Sequence, residues 1–248
     1  MRFSALTGVI ERRLLINFRV DPDALARVLP EPFEPLLVHD VGIAGVCLIR
    51  LGHLRPSGIP ATIGVSSENA AHRIAVRLPS GRKGVYIPRR DTNSRLNTVI
   101  GGRLFPGVHH HAQFQISDSG EGFEVAMRSD DGLAAIDVSG RPTEVLQPGS
   151  VFSSVGEASR FFEGGSVGYS ATKDEGRYDT LELRTTNWKV TPVAVEQVAS
   201  SFFDDSSVFP SGTVEFDNAL IMRGIDHQWR SGESLYCDRS LAMEHYED

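Results

Sequence analysis

The segment LLINFRVDPDALARVLPEPF, residues 14–33, combines a strand with the start and stop signals of a short helix. Residues 14–20 are mainly large and apolar, which predicts a buried strand. Asp21 is a suitable helix cap, Pro22 fits the first helical position, and an apolar stripe follows at helical spacing. Pro30 cannot continue a helix, so the unit ends there. The fold is therefore predicted to begin with a strand, a short helix and a sharp turn.

Most of the remaining chain consists of short apolar segments separated by glycine-containing turns, a pattern typical of antiparallel hairpins. Further strands are predicted after residue 107 and over residues 42–51, 63–78, 85–88 and 179–186. Helices are predicted over residues 92–105, after a capping box formed by Ser154 and Glu157, and over residues 191–203.

The order of these elements lacks the regular strand–helix alternation of a parallel α/β fold. The GxGxxG, P-loop and GxSxG motifs are also absent. We therefore predict an α+β fold with a large antiparallel sheet or barrel and a few short peripheral helices. We expect one domain over residues 1–248.

Composition and charge argue against several classes of protein. The formal net charge is −7, whereas nucleic-acid binding requires a basic surface. No apolar run approaches the length of a transmembrane helix, and the N-terminal sequence lacks the apolar core of a signal peptide. We therefore expect no nucleic-acid partner, no membrane partner and a cytoplasmic location.

Cysteine and lysine are both rare in this chain. Cys47 and Cys237 give neither a disulfide framework nor a zinc motif, and Cys47 lies in an apolar run where a buried small side chain is expected. Lysine occurs only at Lys83, Lys173 and Lys189. Arginine therefore dominates the basic residues, and arginine suits the two-point recognition of carboxylates.

Three consecutive histidines occur in GVHHHAQFQ, residues 107–115, which reads as an alternating strand. Period-two alternation places His110 on an apolar face with Ala112, and His109 and His111 on a polar face with glutamines. His110 is then either a core histidine bonded to a carbonyl group or an acid/base residue lining a cavity.

The polar pair His109 and His111 has two interpretations. It is either part of a solvated sheet face or the start of a metal site, since two imidazoles on one strand face can share an ion. A metal site needs a third ligand, for which Glu68, His72 and His53 are candidates. No HExxH-type motif supports it, so no metal or other cofactor is predicted.

Three segments resemble the acetoacetate decarboxylase family. INFRVDPDALARVLPEPFEPLL, residues 16–37, resembles the family's opening strand and helix, and GVSSENAAHRIAVRL, residues 64–78, with the following GVYIP resembles its glutamate-bearing strand. IGGRLFPGVHHHA, residues 100–112, resembles its Gly-Arg segment with a lysine pair. The matches occur in family order and together cover roughly residues 13–115, which implies an acetoacetate decarboxylase-like β-barrel.

The resemblance also implies positions for functional residues. The family's Schiff-base lysine falls on His110 and the neighbouring lysine on His111, while its arginine and glutamate fall on Arg19 and Glu68. The Gly-Arg of the motif includes Arg103. An imidazole cannot form the protonated imine that lysine forms, so family chemistry through a Schiff base is not expected here.

The resulting hypothesis is an enzyme that binds a small organic acid or keto acid. His110, Glu68 and Arg19 are its predicted catalytic residues, and acid/base chemistry of the lyase or isomerase type replaces the imine. Arg103, His111 and Arg73 are its predicted substrate-binding residues. The alternatives are a non-catalytic protein that senses or carries an acid in the same cavity, and a metal-dependent enzyme. The family's large assemblies imply a possible homo-oligomer.

Overall fold

Strand β1, Ala5–Val20, is the centre of a fourteen-stranded sheet in the computed structural model, which describes residues 5–95 and 107–237. It pairs antiparallel with β4 on one side and β13 on the other. The other strands are β2 (Glu34–Pro35), β3 (Leu37–Val38), β4 (Val41–Pro56), β5 (Val65–Arg77), β6 (Lys83–Thr92), β7 (His109–Asp118), β8 (Phe123–Ser129), β9 (Ala135–Pro142), β10 (Val167–Ala171), β11 (Arg177–Thr185), β12 (Thr191–Ser200), β13 (Val214–Ser231) and β14 (Leu235–Tyr236).

Nine of the described strands close into a barrel. The pairing runs from β1 through β4, β5, β6, β7, β8, β9, β12 and β13 back to β1. Every neighbour in this circuit is antiparallel except β6 and β7, so the barrel is mixed. Its interior holds the larger apolar cluster, which includes Leu14, Ile74, Met127 and Ile221. The predicted barrel fold is confirmed, and its β content is higher than expected.

Strands β10 and β11 form a second closed circuit on the same sheet. β10 pairs parallel with β6 and antiparallel with β11, and β11 pairs antiparallel with β13. Because β13, β1, β4, β5 and β6 are already neighbours, the two added strands complete a seven-membered ring. Five strands are therefore shared by two circuits.

The shared strands are covered on both faces. In β1, Leu14 belongs to the large barrel cluster, while the next residue, Leu15, belongs to a second cluster with Ile49 and Phe162. Successive side chains of a strand point to opposite faces, so each residue contributes to a different interior. This explains why residues 14–18 of β1 and 42–49 of β4 are buried without interruption rather than in alternation.

Two short α-helices lie within the described residues. In α1, Pro22–Val28, the Asp21 side chain accepts a hydrogen bond from the Ala24 amide at 2.8 Å, as the sequence predicted. In α2, Val155–Gly164, Ser154 caps the Glu157 amide. Most of the helix predicted over residues 92–105 lies outside the described residues. No described helix combines the length and apolarity needed to cross a membrane.

The helix predicted over residues 191–203 is wrong, because Thr191–Ser200 forms strand β12. A β-bulge between Val195 and Gln197 accounts for the misleading pattern. It inserts one residue, so Val195 and Val198 both pack against the barrel cluster at a spacing that imitates a helix. The β-branched residues of the segment favour the strand.

Candidate active site

A cavity of about 460 Å³ lies inside the second circuit. It is lined by residues of seven strands, β1, β4, β5, β6, β10, β11 and β13, and by His109 of β7. Helix α2 contributes Phe162 and Glu163, and the segment after α2 adds further lining residues. Trp188 closes it further, since its indole Nε1 donates a hydrogen bond to Ser159 of α2 at 3.0 Å. The volume is within the range of small-molecule sites.

Four arginines line this cavity, and three of them, Arg13, Arg73 and Arg90, lie on the shared strands β1, β5 and β6. The fourth, Arg184 of β11, pairs with Glu182 at 2.9 Å. Arg13 of β1 donates from Nε to the Cys47 sulfur at 3.3 Å. Arg73 of β5 is only 5% exposed and donates to the side-chain oxygen of Asn17. Arg90 of β6 donates to the Ser170 hydroxyl from Nη2 at 3.1 Å.

Aromatic rings support two of these guanidinium groups. Arg13 lies 5.7 Å from the centroid of Trp188, and Arg73 lies 4.9 Å from that of Phe162. Such stacking holds a cation in place without neutralising it. The cationic heads are therefore fixed at the cavity wall while their charge stays available.

No described carboxylate lies within ion-pair distance of Arg13, Arg73 or Arg90, although the chain contains many other ion pairs. Burial lowers the pKa of Arg73 and of Arg90 to about 10. Both groups still carry a positive charge at neutral pH. These cations therefore lack a described counter-charge, which is unfavourable for charge held away from water.

Asp91 is the buried acid of the cavity lining, with no exposed surface. Arg89 contacts both of its oxygens, at 2.8 Å from Nη2 and 3.0 Å from Nε. Burial raises the pKa of Asp91, and the Arg89 charge opposes that shift. Asp91 is thus paired with Arg89 and does not neutralise Arg13, Arg73 or Arg90.

His109 lines the cavity beside Arg90, its partner in the β6–β7 pairing. Burial, and then the charge of Arg90, lowers the pKa of His109 to about 3. The imidazole is therefore neutral at physiological pH. Of the two interpretations of His109, the solvated face does not hold, because the second circuit covers this end of β7, whereas Gln113 and Gln115 on the same face are exposed.

His110 and His111 contact carboxylates outside the cavity lining. His110 Nδ1 lies 3.0 Å from Asp131, and His111 Nδ1 lies 2.7 Å from Asp130. The His110 side chain is 36% exposed, so it does not share the deep burial of Ala112 on the same strand. A role for either histidine in catalysis or binding stays a prediction.

Glu68 and Arg19 are also engaged elsewhere. Glu68 is buried and accepts hydrogen bonds from Arg12 at 2.8 Å and Arg50 at 3.0 Å. Arg19 contacts Glu215 at 2.5 Å and the Gly149 carbonyl at 2.7 Å. Neither residue is among those lining the cavity, so the structure does not bring His110, Glu68 and Arg19 together there.

Of the three predicted substrate-binding residues, Arg73 lines the cavity, His111 does not, and Arg103 lies outside the described residues. The sequence interpretation missed Arg13, Arg90 and Cys47. A usable signal existed at Arg13, which shares a strand face with the apolar Leu15. A charged residue on an apolar face is a candidate functional residue.

No cluster of three or more His, Cys, Asp or Glu side chains suited to a metal ion is present in residues 5–95 and 107–237.

Solved structures with this fold are acetoacetate decarboxylases and related enzymes. An acetoacetate decarboxylase from Legionella pneumophila matches with a TM-score of 0.60 and 13% identity, over 92% of this chain and 87% of that one. An acetoacetate decarboxylase-like enzyme from Sphingomonas wittichii RW1 matches with a TM-score of 0.58 and 13% identity, over 96% and 94%. The enduracididine biosynthesis enzyme MppR, complexed with pyruvate, matches with a TM-score of 0.59 and 12% identity, over 94% and 89%.

These matches define the protein as having the acetoacetate decarboxylase-like fold. The family model DUF2071, described as an uncharacterized conserved protein, matches residues 9–218, so the chain belongs to that family. No curated protein matches the chain significantly.

Proposed function

We propose that this protein binds a small carboxylate, in particular a 2-oxo or 3-oxo acid, in the 460 Å³ cavity. The observation that carries the proposal is the set of three guanidinium groups, Arg13, Arg73 and Arg90, that have no described carboxylate partner. A ligand carboxylate would supply the missing anion and accept charge-assisted hydrogen bonds from the planar guanidinium groups. MppR binds pyruvate within the same fold, which makes pyruvate a suitable first probe.

We further propose acid/base chemistry of the lyase or isomerase type without a Schiff base. No described lysine lines the main cavity, and Lys83 reaches only a smaller cavity of about 200 Å³ beside it. His109 and Asp91 lie on the cationic side of the lining with Arg90, whereas the other lining acids, Glu163 and Glu182, lie on α2 and β11. We therefore assign proton transfer to His109 and Asp91 in place of His110 and Glu68. A bound carboxylate would offset the charge of Arg90 and raise the pKa of His109, which makes it a better base.

Calorimetric titration with pyruvate and with its neutral methyl ester tests the binding step. We expect pyruvate to bind and the ester to bind at least about tenfold more weakly, because the ester cannot pair with guanidinium groups. Arg73→Gln is expected to remove most of that difference. Arg77→Gln is the matched control, since Arg77 lies on the same strand in an exposed pair with Glu34. Equal binding of acid and ester would refute the proposal.

Deuterium exchange at C3 of pyruvate in D₂O, followed by NMR, tests the catalytic step. Exchange that the protein accelerates and that His109→Gln abolishes supports acid/base catalysis. A panel of 3-oxo acids tests C–C bond cleavage in the same samples.

Binding without exchange or cleavage supports the alternative, a non-catalytic acid-binding protein. That alternative is favoured by the engagement of His110 and Glu68 with charged groups outside the cavity lining.

A further inference from the structure

Cys47 lies at the point where Arg13, Arg73 and Arg90 meet. It is 7% exposed and faces the cavity from β4, opposite Leu15 of β1 and Ala71 of β5. Its sulfur accepts the hydrogen bond from Arg13 at 3.3 Å. Arg73 and Arg90 both interact electrostatically with the same side chain. Cys47 also belongs to the second apolar cluster, so its sulfur lies between apolar packing and the cations of the cavity.

Unused hydrogen-bond donors point to a ligand beside this sulfur. Nη1 of Arg13 and Nε of Arg73 are buried and bond no described acceptor. Arg73 as a residue is 95% buried, so water does not replace the missing partner easily. A carboxylate that satisfies these donors would therefore lie next to Cys47.

The position of a bound acid follows from this geometry. The Arg13 guanidinium is in contact with the sulfur, so a carboxylate held by it lies within a few ångströms of Sγ. In a 2-oxo acid the carbonyl carbon is one single bond, about 1.5 Å, from the carboxylate carbon. The electrophilic carbon is thus placed beside the only nucleophilic sulfur in the cavity lining among the described residues.

We propose that Cys47 adds reversibly to the carbonyl carbon of a bound 2-oxo acid and forms a thiohemiketal. The S–C bond forms as the carbonyl π bond breaks, and the thiol proton ends on the former carbonyl oxygen. Nothing is oxidised or reduced, and no group leaves. The proposal rests on the carboxylate binding proposed above, and it gives the cavity a preference for 2-oxo acids over other acids of the same size.

Proximity makes this addition favourable in the cavity although thiols add weakly to ketones in water. Binding through the arginines replaces a bimolecular encounter with an addition inside one complex, which raises the effective concentration of the thiol. Arg90 lines the same cavity and interacts electrostatically with Cys47, so it can donate a hydrogen bond to the oxygen that forms. The same cations that bind the acid thus stabilise the adduct.

Pyruvate and L-lactate provide the test, because lactate keeps the carboxylate and the size but has no carbonyl group. We expect the full chain to bind pyruvate roughly tenfold more tightly than lactate. In Cys47→Ser that preference should disappear while both acids still bind. With [2-¹³C]pyruvate, NMR of the wild type should show a resonance of a protein-bound tetrahedral carbon, distinct from that of pyruvate hydrate, that Cys47→Ser lacks. Cys47→Ala repeats the comparison if the serine variant folds poorly.

Alkylation gives a second measurement, with Cys237 as an internal control. Iodoacetate carries a carboxylate and iodoacetamide does not, so Cys47 should react faster with iodoacetate and be protected by pyruvate. Cys237, which is not in the cavity lining, should show neither effect. An unchanged pyruvate preference in Cys47→Ser, with no tetrahedral carbon signal in the wild type, would overturn the covalent role alone. Failure of both acids to bind the wild type would overturn the carboxylate site itself.

Discussion

Arg12 and Arg13 are consecutive in β1, yet one is neutralised and the other is not. Arg12 is 2% exposed and pairs with Glu68 at 2.8 Å, on the face opposite the cavity. Arg13 faces the cavity and contacts the Cys47 sulfur and the Trp188 ring. Strand alternation therefore separates a structural cation from one that is free to bind a ligand.

Replacing Arg13 should weaken ligand binding without destabilising the free protein. Arg13→Gln removes one of three mutually repelling buried charges, so the free energy of unfolding should stay equal or rise slightly. Carboxylate affinity should fall about tenfold or more. Urea unfolding and pyruvate titration measure the two effects. A variant that loses stability and keeps its affinity would contradict the assignment of Arg13 to the site.

Replacing Arg12 should have the opposite result. Arg12→Gln leaves the buried Glu68 with Arg50 as its remaining partner, which should lower the free energy of unfolding by roughly 3 kcal/mol. Pyruvate affinity should be unchanged. The double variant Arg12→Met with Glu68→Leu removes both charges and should recover much of the stability. An equal loss in the double variant would show that the Arg12–Glu68 pair is not the cause.

Asn17 should act as a positioning residue for Arg73. Asn17 has no exposed surface, accepts a hydrogen bond from Arg73, and donates to Asn218 at 2.8 Å. Asn218 donates in turn to Asp217, at 2.5 Å. Asn17→Ala frees the Arg73 guanidinium, and Asn17→Asp supplies it with an internal anion. Pyruvate affinity should fall in both variants and more in Asn17→Asp, whereas a purely structural role predicts no such order.

His72 should make stability depend on pH. It is 1% exposed, lies against Phe202, and bonds no described group through its ring. Burial, and then the charge of Arg89, lowers its pKa from 6.5 to about 4. Between these values the unfolded chain binds a proton that the folded protein does not, so stability rises with pH. The part due to His72 amounts to roughly 3 kcal/mol between pH 4 and pH 7.

His72→Phe isolates this contribution, because phenylalanine fits an aromatic cluster and does not titrate. Urea unfolding at pH 7 and at pH 4.5 should show a smaller acid loss in the variant than in the wild type. A remaining slope is expected from His109 and His227, whose pKa values are also lowered by burial. An identical pH dependence of the free energy of unfolding in the two proteins would show that His72 does not cause the acid sensitivity.

Local signals in the sequence were reliable where neighbours in the chain decide the structure. The Asp21 cap and the proline-bounded helix α1 form as expected, as does the cap at Ser154. The helix prediction failed at β12 because a bulge depends on the register with β9, which spacing along one strand does not reveal. The barrel followed from the resemblance and from the number of short strands.

The site was harder to predict, because the distinction between core and cavity depends on a distant closure. His109 and Arg90 face an enclosed space only because β10 and β11 join β6 to β13. Alternation along β7 correctly assigns Ala112 to the barrel interior, but it cannot show that a second interior covers the opposite face near His109. The sequence interpretation included Arg73 among the substrate-binding residues. Arg13, Arg90 and Cys47 were recognised as cavity residues only from the strand pairing in the structure.

Five strands are shared by the barrel and the second circuit, so the cavity has one wall on barrel strands and another on added elements. The barrel cluster includes Tyr169 of β10 and Tyr178 of β11 but no residue of α2, whose Ala158 and Phe162 belong to the second cluster. Those three elements supply much of the opposite wall of the cavity, including Phe162 and Leu181. Exchanging the cavity residues of α2, Phe162 and Glu163, would therefore reshape the proposed acid site without altering the barrel cluster, while the arginines on the shared strands stay in place.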